Sequence, residues 1–157
     1  MKTDTPRSIH LKDYSPPEFL IDTVGLDVTL GEESTIVDAR LQMRRNAKAD
    51  NPDAALILDG EYLETLRVAI DGNTLDDSAF SLTENTLQIT ELPDSFILET
   101  SVSIHPETNT ALEGLYKSGT IFCTQCEAQG FRRITWYLDR PDVLARFKTC
   151  ITAEKAK

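Results

Sequence analysis

The chain has 157 residues, of which 40% are hydrophobic and 27% are charged, and its formal net charge is −10. This length and this balance are those of one globular domain with a sizeable buried core, not of a disordered chain. The excess of 26 acidic over 16 basic residues argues against nucleic acid or an anionic membrane as a partner, since both select a basic surface. It is more compatible with a cationic ligand such as an ammonium group.

The N-terminus and the cysteines indicate the cellular compartment of the protein. Met1–Pro6 carries a lysine but no apolar stretch comes after it, so the sequence predicts no secretory signal. No run of 18 apolar residues occurs, so no membrane-spanning helix is expected. The three cysteines are too few, and odd in number, for a disulfide scaffold. The predicted location is therefore the cytoplasm.

Hydrophobic residues alternate with polar residues along much of the chain, which is the pattern of strands with one buried face. The clearest segments are Leu26–Leu30, Val37–Met43, Leu66–Ile70 and Phe96–Ile104. In the third of these, the alternation predicts that Leu66, Val68 and Ile70 share the buried face. The continuous apolar run within Ala54–Asp59 predicts a strand that is buried on both faces.

Turn residues separate these segments at regular intervals. Asp71-Gly72-Asn73 is typical of a hairpin turn, and Glu84-Asn85 divides Phe80–Leu82 from Leu87–Ile89. Many short strands at a spacing of roughly 8–12 residues predict an all-β fold, either a sandwich or strongly twisted sheets.

The C-terminal part of the chain predicts one short helical turn and a final strand. The helical turn is expected near residues 140–146, because Pro141 suits a first helical turn with Asp139 or Arg140 before it. Alternation returns over Phe147–Ala153 and predicts a strand. No turn or cap residue comes after that strand, which is typical of a chain cut from a longer one.

The segment Asn109–Phe147 differs from the rest of the chain, since it holds the single tryptophan and two of the three cysteines. Cys123 and Cys126 form a CxxC pair. A structural zinc site uses four ligands, and only one further cysteine and two histidines remain, all far apart in sequence. A thioredoxin-type site would need a helix after the motif, whereas the flanks are strand-like. Two small buried thiols are therefore the favoured interpretation.

Gln125 and Glu127 are the polar pair in this segment that could bind a cation. If Phe122–Glu127 is extended, the two side chains lie on the same face, because they are two residues apart. An amide and a carboxylate together could hold a primary ammonium through charge-assisted hydrogen bonds. Spacing alone favours the plainer interpretation that both side chains face solvent.

The remaining polar and basic residues indicate no chemistry by themselves. Arg132 and Arg133 next to Trp136 and Tyr137 could stack on bases, but the net negative charge and nearby acids favour ion pairs and packing. The two histidines have no serine or cysteine at a catalytic spacing, and HExxH, P-loop and GxGxxG motifs do not occur. No catalytic apparatus is recognisable.

The unusual segment resembles the N-terminal domain of the M1 family of zinc metallopeptidases. Three stretches carry the resemblance, namely Asn109–Tyr116, Cys123–Arg132 and Tyr137–Phe147. A weaker similarity extends over the rest of the chain through Leu11–Tyr14 and Ile21–Asp22, which look like the family's opening strand, and through Leu58–Glu61 and Ile70–Gly72.

The resemblance implies that residues 1–157 are the first, saddle-like all-β domain of a longer zinc aminopeptidase, which removes N-terminal amino acids from peptides. The family's GAMEN and HExxH motifs do not occur here. The implied zinc and all catalytic residues therefore belong to the rest of the parent enzyme, and this chain is expected to bind no metal and to be inactive alone. The implied partners are peptide N-termini and the parent's own catalytic domain, with no nucleic acid and no membrane.

The same match implies roles for two residues of this chain. Gln125 would line the pocket for the first side chain of the substrate, and Glu127 would bind its α-ammonium group. The peptide bond Glu127–Ala128 is expected to be cis, as in the family. The alternative from the residues alone is a free-standing, non-enzymatic β-sandwich interaction module. A redox protein that uses Cys123 and Cys126 is the third interpretation.

Overall fold

The structure is a computed structural model that describes residues 10–11, 14–51 and 53–154. Within these residues the strands are β1 (Phe19–Leu30), β2 (Thr35–Arg45), β3 (Leu56–Asp59), β4 (Glu64–Ile70), β5 (Asn73–Thr74), β6 (Phe80–Leu82), β7 (Thr86–Ile89), β8 (Ser95–Ile104), β9 (Gly114–Ser118), β10 (Ile121–Gln125) and β11 (Arg146–Ala153). Two short 3₁₀ turns occupy Asp77–Ala79 and Phe131–Arg133. In the part of the chain described, no helix is long and apolar enough to span a bilayer.

The strands form two sheets and a separate hairpin. Among the strands that the structure describes, the larger sheet has the order β11-β1-β2-β8-β4-β5, and the smaller has the order β3-β7-β6, while β9 and β10 pair only with each other. The β1–β11 pair is parallel, and the other pairs are antiparallel. Buried side chains of the two sheets belong to one hydrophobic cluster. The predicted all-β fold is confirmed.

The alternation of the long strands sets which faces are buried. In β2, Val37, Leu41 and their neighbours at every second position are buried, while the residues between them are mostly exposed. Leu41 lies opposite Leu98 of β8, so the apolar faces of neighbouring strands coincide. The prediction of half-buried strands is therefore confirmed for β1, β2 and β8.

Two predictions about burial are wrong, each for a local reason. The register of β4 against β8 shifts between Thr65 and Arg67, so the period of two is broken there. As a result Leu66, predicted to be buried, is 52% exposed. Ala69, which lies between the predicted inward positions Val68 and Ile70, is also fully buried. In β3 the burial alternates, and Ile57 is 52% exposed, because only one face of the smaller sheet packs on the core.

The predicted helical turn near 140–146 forms a single hydrogen-bonded turn and no helix. The Val143 amide donates to the Arg140 carbonyl at 3.2 Å, and the chain then becomes extended to pair with β1 from Arg146 onwards. The Arg140 guanidinium folds onto Asp142 at 2.8 Å, which closes the turn locally. At the other end of the chain, Tyr14 lies outside any strand; residues 12 and 13 lie outside the described part.

The final strand, β11, is present as predicted but is exposed along its whole length. Phe147 lies opposite Val24 of β1, and Ile151 lies opposite Val28, so these side chains extend the apolar face of the sheet. Val24 and Val28 are buried, whereas Phe147 is 50% and Ile151 is 65% exposed. β11 is therefore covered only in part, through contacts of the Phe147 ring with those of Phe131 and Tyr137.

His105, which comes directly after β8, gives the fold a pH-dependent contact. Its Nδ1 lies 2.9 Å from the Glu33 carbonyl oxygen and 3.2 Å from the Glu107 carboxylate. The carbonyl of Glu33, and then the carboxylate of Glu107, raise the pKa of His105 above its ordinary value of 6.5. The protonated imidazole therefore stabilises the fold below pH 6.5, and this contribution is lost as the pH rises through the higher folded-state pKa.

We expect His105→Gln to lower the free energy of unfolding more at a pH of about 5.5 than at about 8.5, because protonation adds a positive charge that strengthens the contacts of Nδ1 with both oxygens. Urea unfolding of the wild-type chain and the variant at both pH values measures this difference. An equal loss at the two pH values would show that the contacts act independently of the charge.

Candidate functional site

The candidate site lies where the β9–β10 hairpin ends. Gln125 is the last residue of β10, opposite Gly114 of β9, and Glu127 lies in the turn directly after it. The loop of residues 126–130 is closed by a hydrogen bond from the Gly130 amide to the Cys126 carbonyl at 2.9 Å. Both Gln125 and Glu127 are exposed, so their amide and carboxylate groups are available to a ligand.

Two predictions about this loop have different outcomes. The expectation that Phe122–Glu127 is extended is wrong for its last two residues, because the strand ends at Gln125. The rule that residues two apart share a face therefore does not apply across residue 126. The expected cis peptide bond between Glu127 and Ala128 is confirmed.

Two glycines allow close backbone contacts between the β9–β10 hairpin and the residues that follow it. A Cβ atom on Gly130 would lie 2.6 Å from the Gln125 carbonyl oxygen and 2.9 Å from the Cys126 Cα atom. Gly114, with φ of +73°, is in the left-handed region, and a Cβ there would lie 2.6 Å from the Arg133 Cβ atom. The backbone segments at both ends of the loop are thus in contact.

We expect Gly130→Ala to destabilise the fold by about 1–3 kcal/mol, because the new methyl group overlaps backbone atoms that no rotamer change can move. Gly25→Ala in β1 is the matched control, since its Cβ would come no closer than 3.8 Å to another residue and its φ is not in the left-handed region. Chemical unfolding measures both variants. Equal stability of the two would contradict the close crossing.

Arg132 ties the end of the loop to the body of the domain. Its backbone amide and its Nε both donate to Oδ2 of Asp139, at 3.2 and 2.9 Å. Its Nη1 lies 3.7 Å from Oδ1 of Asp59, at the end of β3, and its carbonyl accepts the Glu61 amide at 2.9 Å. Burial raises the pKa of Asp59, more than the neighbouring Arg132 lowers it.

Arg133 makes a second set of contacts, with Glu61, Tyr62 and Glu113. Its Nη2 lies 2.9 Å from the Glu61 carboxylate, and its guanidinium carbon lies 4.9 Å from the centroid of the Tyr62 ring. Its Nε is 3.4 Å from the Glu113 carboxylate but outside hydrogen-bonding geometry, so that contact is coulombic. The expected ion-pair and packing role of the two arginines is confirmed.

Trp136 and Tyr137 are packing residues and form no exposed stacking surface. Trp136 is 1% exposed, and its indole N–H donates to the Thr65 hydroxyl at 2.9 Å. Tyr137 is also buried, pairs with Asp59 through two backbone hydrogen bonds, and contacts the Phe131 ring edge-on. Burial raises the pKa of Tyr137 to about 12.

The cysteines do not form a chemical centre. Cys123 and Cys126 are half-buried free thiols, and Cys150 is an exposed free thiol. Burial raises the pKa of Cys126, which is the opposite of what a reactive thiolate requires. Among the residues that the structure describes, no group of three or more His, Cys, Asp or Glu side chains could hold a metal ion. The residues described therefore do not fit a zinc site.

A cavity of about 540 Å³ lies beside the site and is separate from it. Its walls include Tyr62, Glu64, His105 and Arg133, and neither Gln125 nor Glu127 lines it. This concavity is thus next to the ion pairs of Arg133 and not at the exposed amide and carboxylate.

Sequence reasoning missed the acids that hold the arginines. Asp59, Glu61 and Glu113 are far from Arg132 and Arg133 along the chain, and nothing in their local pattern distinguishes them from other acidic residues. One signal was present in the sequence, because Asp139 comes shortly after Arg132 and sits between apolar residues and a proline turn.

Comparison with known proteins identifies relatives over nearly the whole chain. Aminopeptidase N of Caulobacter vibrioides is 46% identical over 154 residues, which are 98% of this chain and 18% of the relative. Aminopeptidase N of Escherichia coli is 45% identical over 155 residues, 99% of this chain and 17% of the relative. This chain thus spans less than a fifth of the length of these relatives.

A solved structure is also similar to most of this chain. The crystal structure of Legionella pneumophila aminopeptidase A in complex with aspartic acid superposes with a TM-score of 0.83 at 31% identity, covering 90% of this chain and 17% of that one. Residues 14–157 match the family described as the peptidase M1 N-terminal domain. The chain therefore belongs to the M1 peptidase N-terminal domain family.

Proposed function

We propose that this chain is the substrate-anchoring N-terminal domain of a zinc-dependent aminopeptidase, which removes N-terminal amino acids from peptides. The observation that carries the proposal is the exposed Gln125–Glu127 pair. Its loop is held to the domain by Arg132 and by close backbone contacts at Gly114 and Gly130. Membership of the M1 family and the length of the aminopeptidase relatives support it. The proposed zinc belongs to the parent enzyme and not to this chain.

The proposed chemistry of the two side chains is recognition and not bond cleavage. The Glu127 carboxylate accepts hydrogen bonds from the α-ammonium of a peptide, and these charge-assisted bonds are among the stronger ones. The Gln125 amide lines the pocket of the first side chain. A carboxylate fixed one residue from the scissile bond restricts cleavage to free amino termini and places the substrate carbonyl for attack. In the parent enzyme, zinc supplies the Lewis acid for that attack.

This division of roles predicts that the isolated chain is inactive. We expect no hydrolysis of an alanyl reporter by the purified chain, with or without added zinc, because the residues described hold no metal site. A coupled chromogenic assay with a known aminopeptidase as the positive control measures this. Zinc-dependent cleavage by the purified chain would contradict the proposal.

The alternative function is a free-standing β-sandwich interaction module. The exposed strand β11, with Phe147 and Ile151 on its surface, is the observation that favours it. Reading the gene beyond Lys157 separates the two. A GAMEN and an HExxH motif downstream support the aminopeptidase, and a stop codon supports the module.

A further inference from the structure

The 126–130 loop that carries Glu127 is held to the domain at both of its ends. At its start, the half-buried Cys126 side chain packs against the hydrophobic cluster. At its end, the Gly130 amide donates to the Cys126 carbonyl, and the adjoining 3₁₀ turn, Phe131–Arg133, makes side-chain contacts to the body of the domain. Glu127 lies between these two attachments, so its orientation depends on this turn as well as on the end of β10.

Arg132 is the residue of that turn with the most complete set of contacts. Its amide and its Nε converge on one oxygen of Asp139, and its Nη2 donates to the Asp139 carbonyl at 3.3 Å. The side chains of Arg132 and Asp139 are 17% and 10% exposed, so solvent screens the pair only weakly. These contacts require the planar guanidinium group of arginine, which holds several N–H donors in fixed directions. A lysine ammonium cannot replace it.

Asp139 is itself fixed to the sheet. Its backbone amide donates to Asp59 Oδ2 at 3.3 Å, and Asp59 pairs through its backbone with Tyr137. A continuous set of contacts thus runs from the end of β3 through Asp59 and Asp139 to Arg132 and the loop.

We propose that Arg132, held by Asp139, is a positioning residue that orients Glu127 toward the α-ammonium of the substrate. The inference rests on the proposed function of Glu127. It predicts that a change at Arg132 weakens recognition of the amine and leaves the chemical step intact.

The test uses the full-length parent enzyme and Arg132→Lys, which keeps the charge but loses the fork. We expect KM for an aminoacyl reporter to rise about tenfold while kcat changes less than about twofold, since small misplacements of a binding group have effects of this order. The matched control is Arg140→Lys, because Arg140 makes an equally close pair with Asp142 outside the loop. The control should leave both constants unchanged.

A double-mutant cycle with Glu127→Ala separates positioning from general destabilisation. If Arg132 acts through Glu127, Arg132→Lys has no more than about a twofold further effect on KM in the Glu127→Ala background. A tenfold effect in both backgrounds, or no effect in the wild-type background, overturns the inference. An unchanged KM for Glu127→Ala alone instead overturns the proposed function, so the two failures are distinguishable.

A binding measurement gives a readout that a purely structural role does not produce. Isothermal titration with two non-hydrolysable inhibitors, one with and one without a free α-amine, should show weaker binding of the amine alone in Arg132→Lys. Equal weakening of both inhibitors overturns the inference. If Arg132→Lys does not fold, the same titration with Asp139→Asn decides, because the neutral amide weakens the pair with Arg132. Binding of the inhibitor with the free amine should then weaken alone, and equal weakening of both or no change overturns the inference.

Discussion

Replacing Glu127 with alanine in the parent enzyme is expected to raise KM for peptides and aminoacyl reporters by about 10- to 150-fold. The reason is the loss of hydrogen bonds between a carboxylate and an ammonium, which contribute about 1.5–3 kcal/mol when the ammonium is desolvated. The selectivity for free over blocked amino termini should fall with it, because in the proposed function Glu127 is the group that recognises the charge. Steady-state kinetics with a reporter series measures both quantities.

Two controls make this expectation specific to the position of the charge. Glu127→Gln keeps the shape and removes the charge, so its KM should lie between those of the wild type and Glu127→Ala. Asp38→Ala removes an exposed acid in the middle of β2 and changes the net charge by the same amount. Equal kinetics of Glu127→Ala and Asp38→Ala would mean that Glu127 has no role in binding.

Replacing Trp136 with alanine should be the most destabilising single change in the described core, at about 3–5 kcal/mol. Trp136 is 1% exposed, so the substitution leaves a large cavity. It also removes the donor to the Thr65 hydroxyl. The ring lies directly against Gly60, where a Cβ atom would come within 2.2 Å of it, so the substitution also removes the packing on this backbone segment.

Trp136→Phe is the control for the tryptophan, because it retains most of the buried ring and loses the hydrogen bond. Its cost should be about 1–2 kcal/mol, well below that of the alanine variant. Guanidinium unfolding of the three proteins gives the ranking. A smaller loss for Trp136→Ala than for Trp136→Phe would contradict the account of the core. Since whole domains are stable by only about 5–15 kcal/mol, the alanine variant should lose a large share of the stability of the fold.

The fold was largely predictable because its signals are local. Alternation over Val37–Met43 and Phe96–Ile104 depends only on neighbouring residues, and both strands form with the predicted faces. The errors arise where a tertiary event overrides the pattern. The register shift after Thr65 exposes Leu66. The turn that begins at Arg140 does not continue into a helix, because the chain pairs with β1 from Arg146 onwards.

The candidate site was predictable only in part. The spacing of Gln125 and Glu127 indicated an amide and a carboxylate close in sequence, but the choice of this pair over other exposed polar residues came from the family resemblance. The support of the loop was predictable only through Asp139, which comes shortly after Arg132. The other acidic partners of the two arginines are Asp59 at the end of β3, Glu61 just after it and Glu113 just before β9, all far away along the chain. Contacts between residues that are far apart along the chain leave no periodic pattern in the sequence.

The exposed strand β11 has a consequence for the order of the loop. β11 is held through one neighbour, so its amides should exchange with solvent sooner than those of β2 or β8. Its Phe147 ring contacts the rings of Phe131 and Tyr137, with centroids 5.6 and 6.2 Å away. Opening of β11 therefore removes packing from the residue that precedes Arg132. A partner that covers β11 would therefore also stabilise the packing of Phe131 next to Arg132.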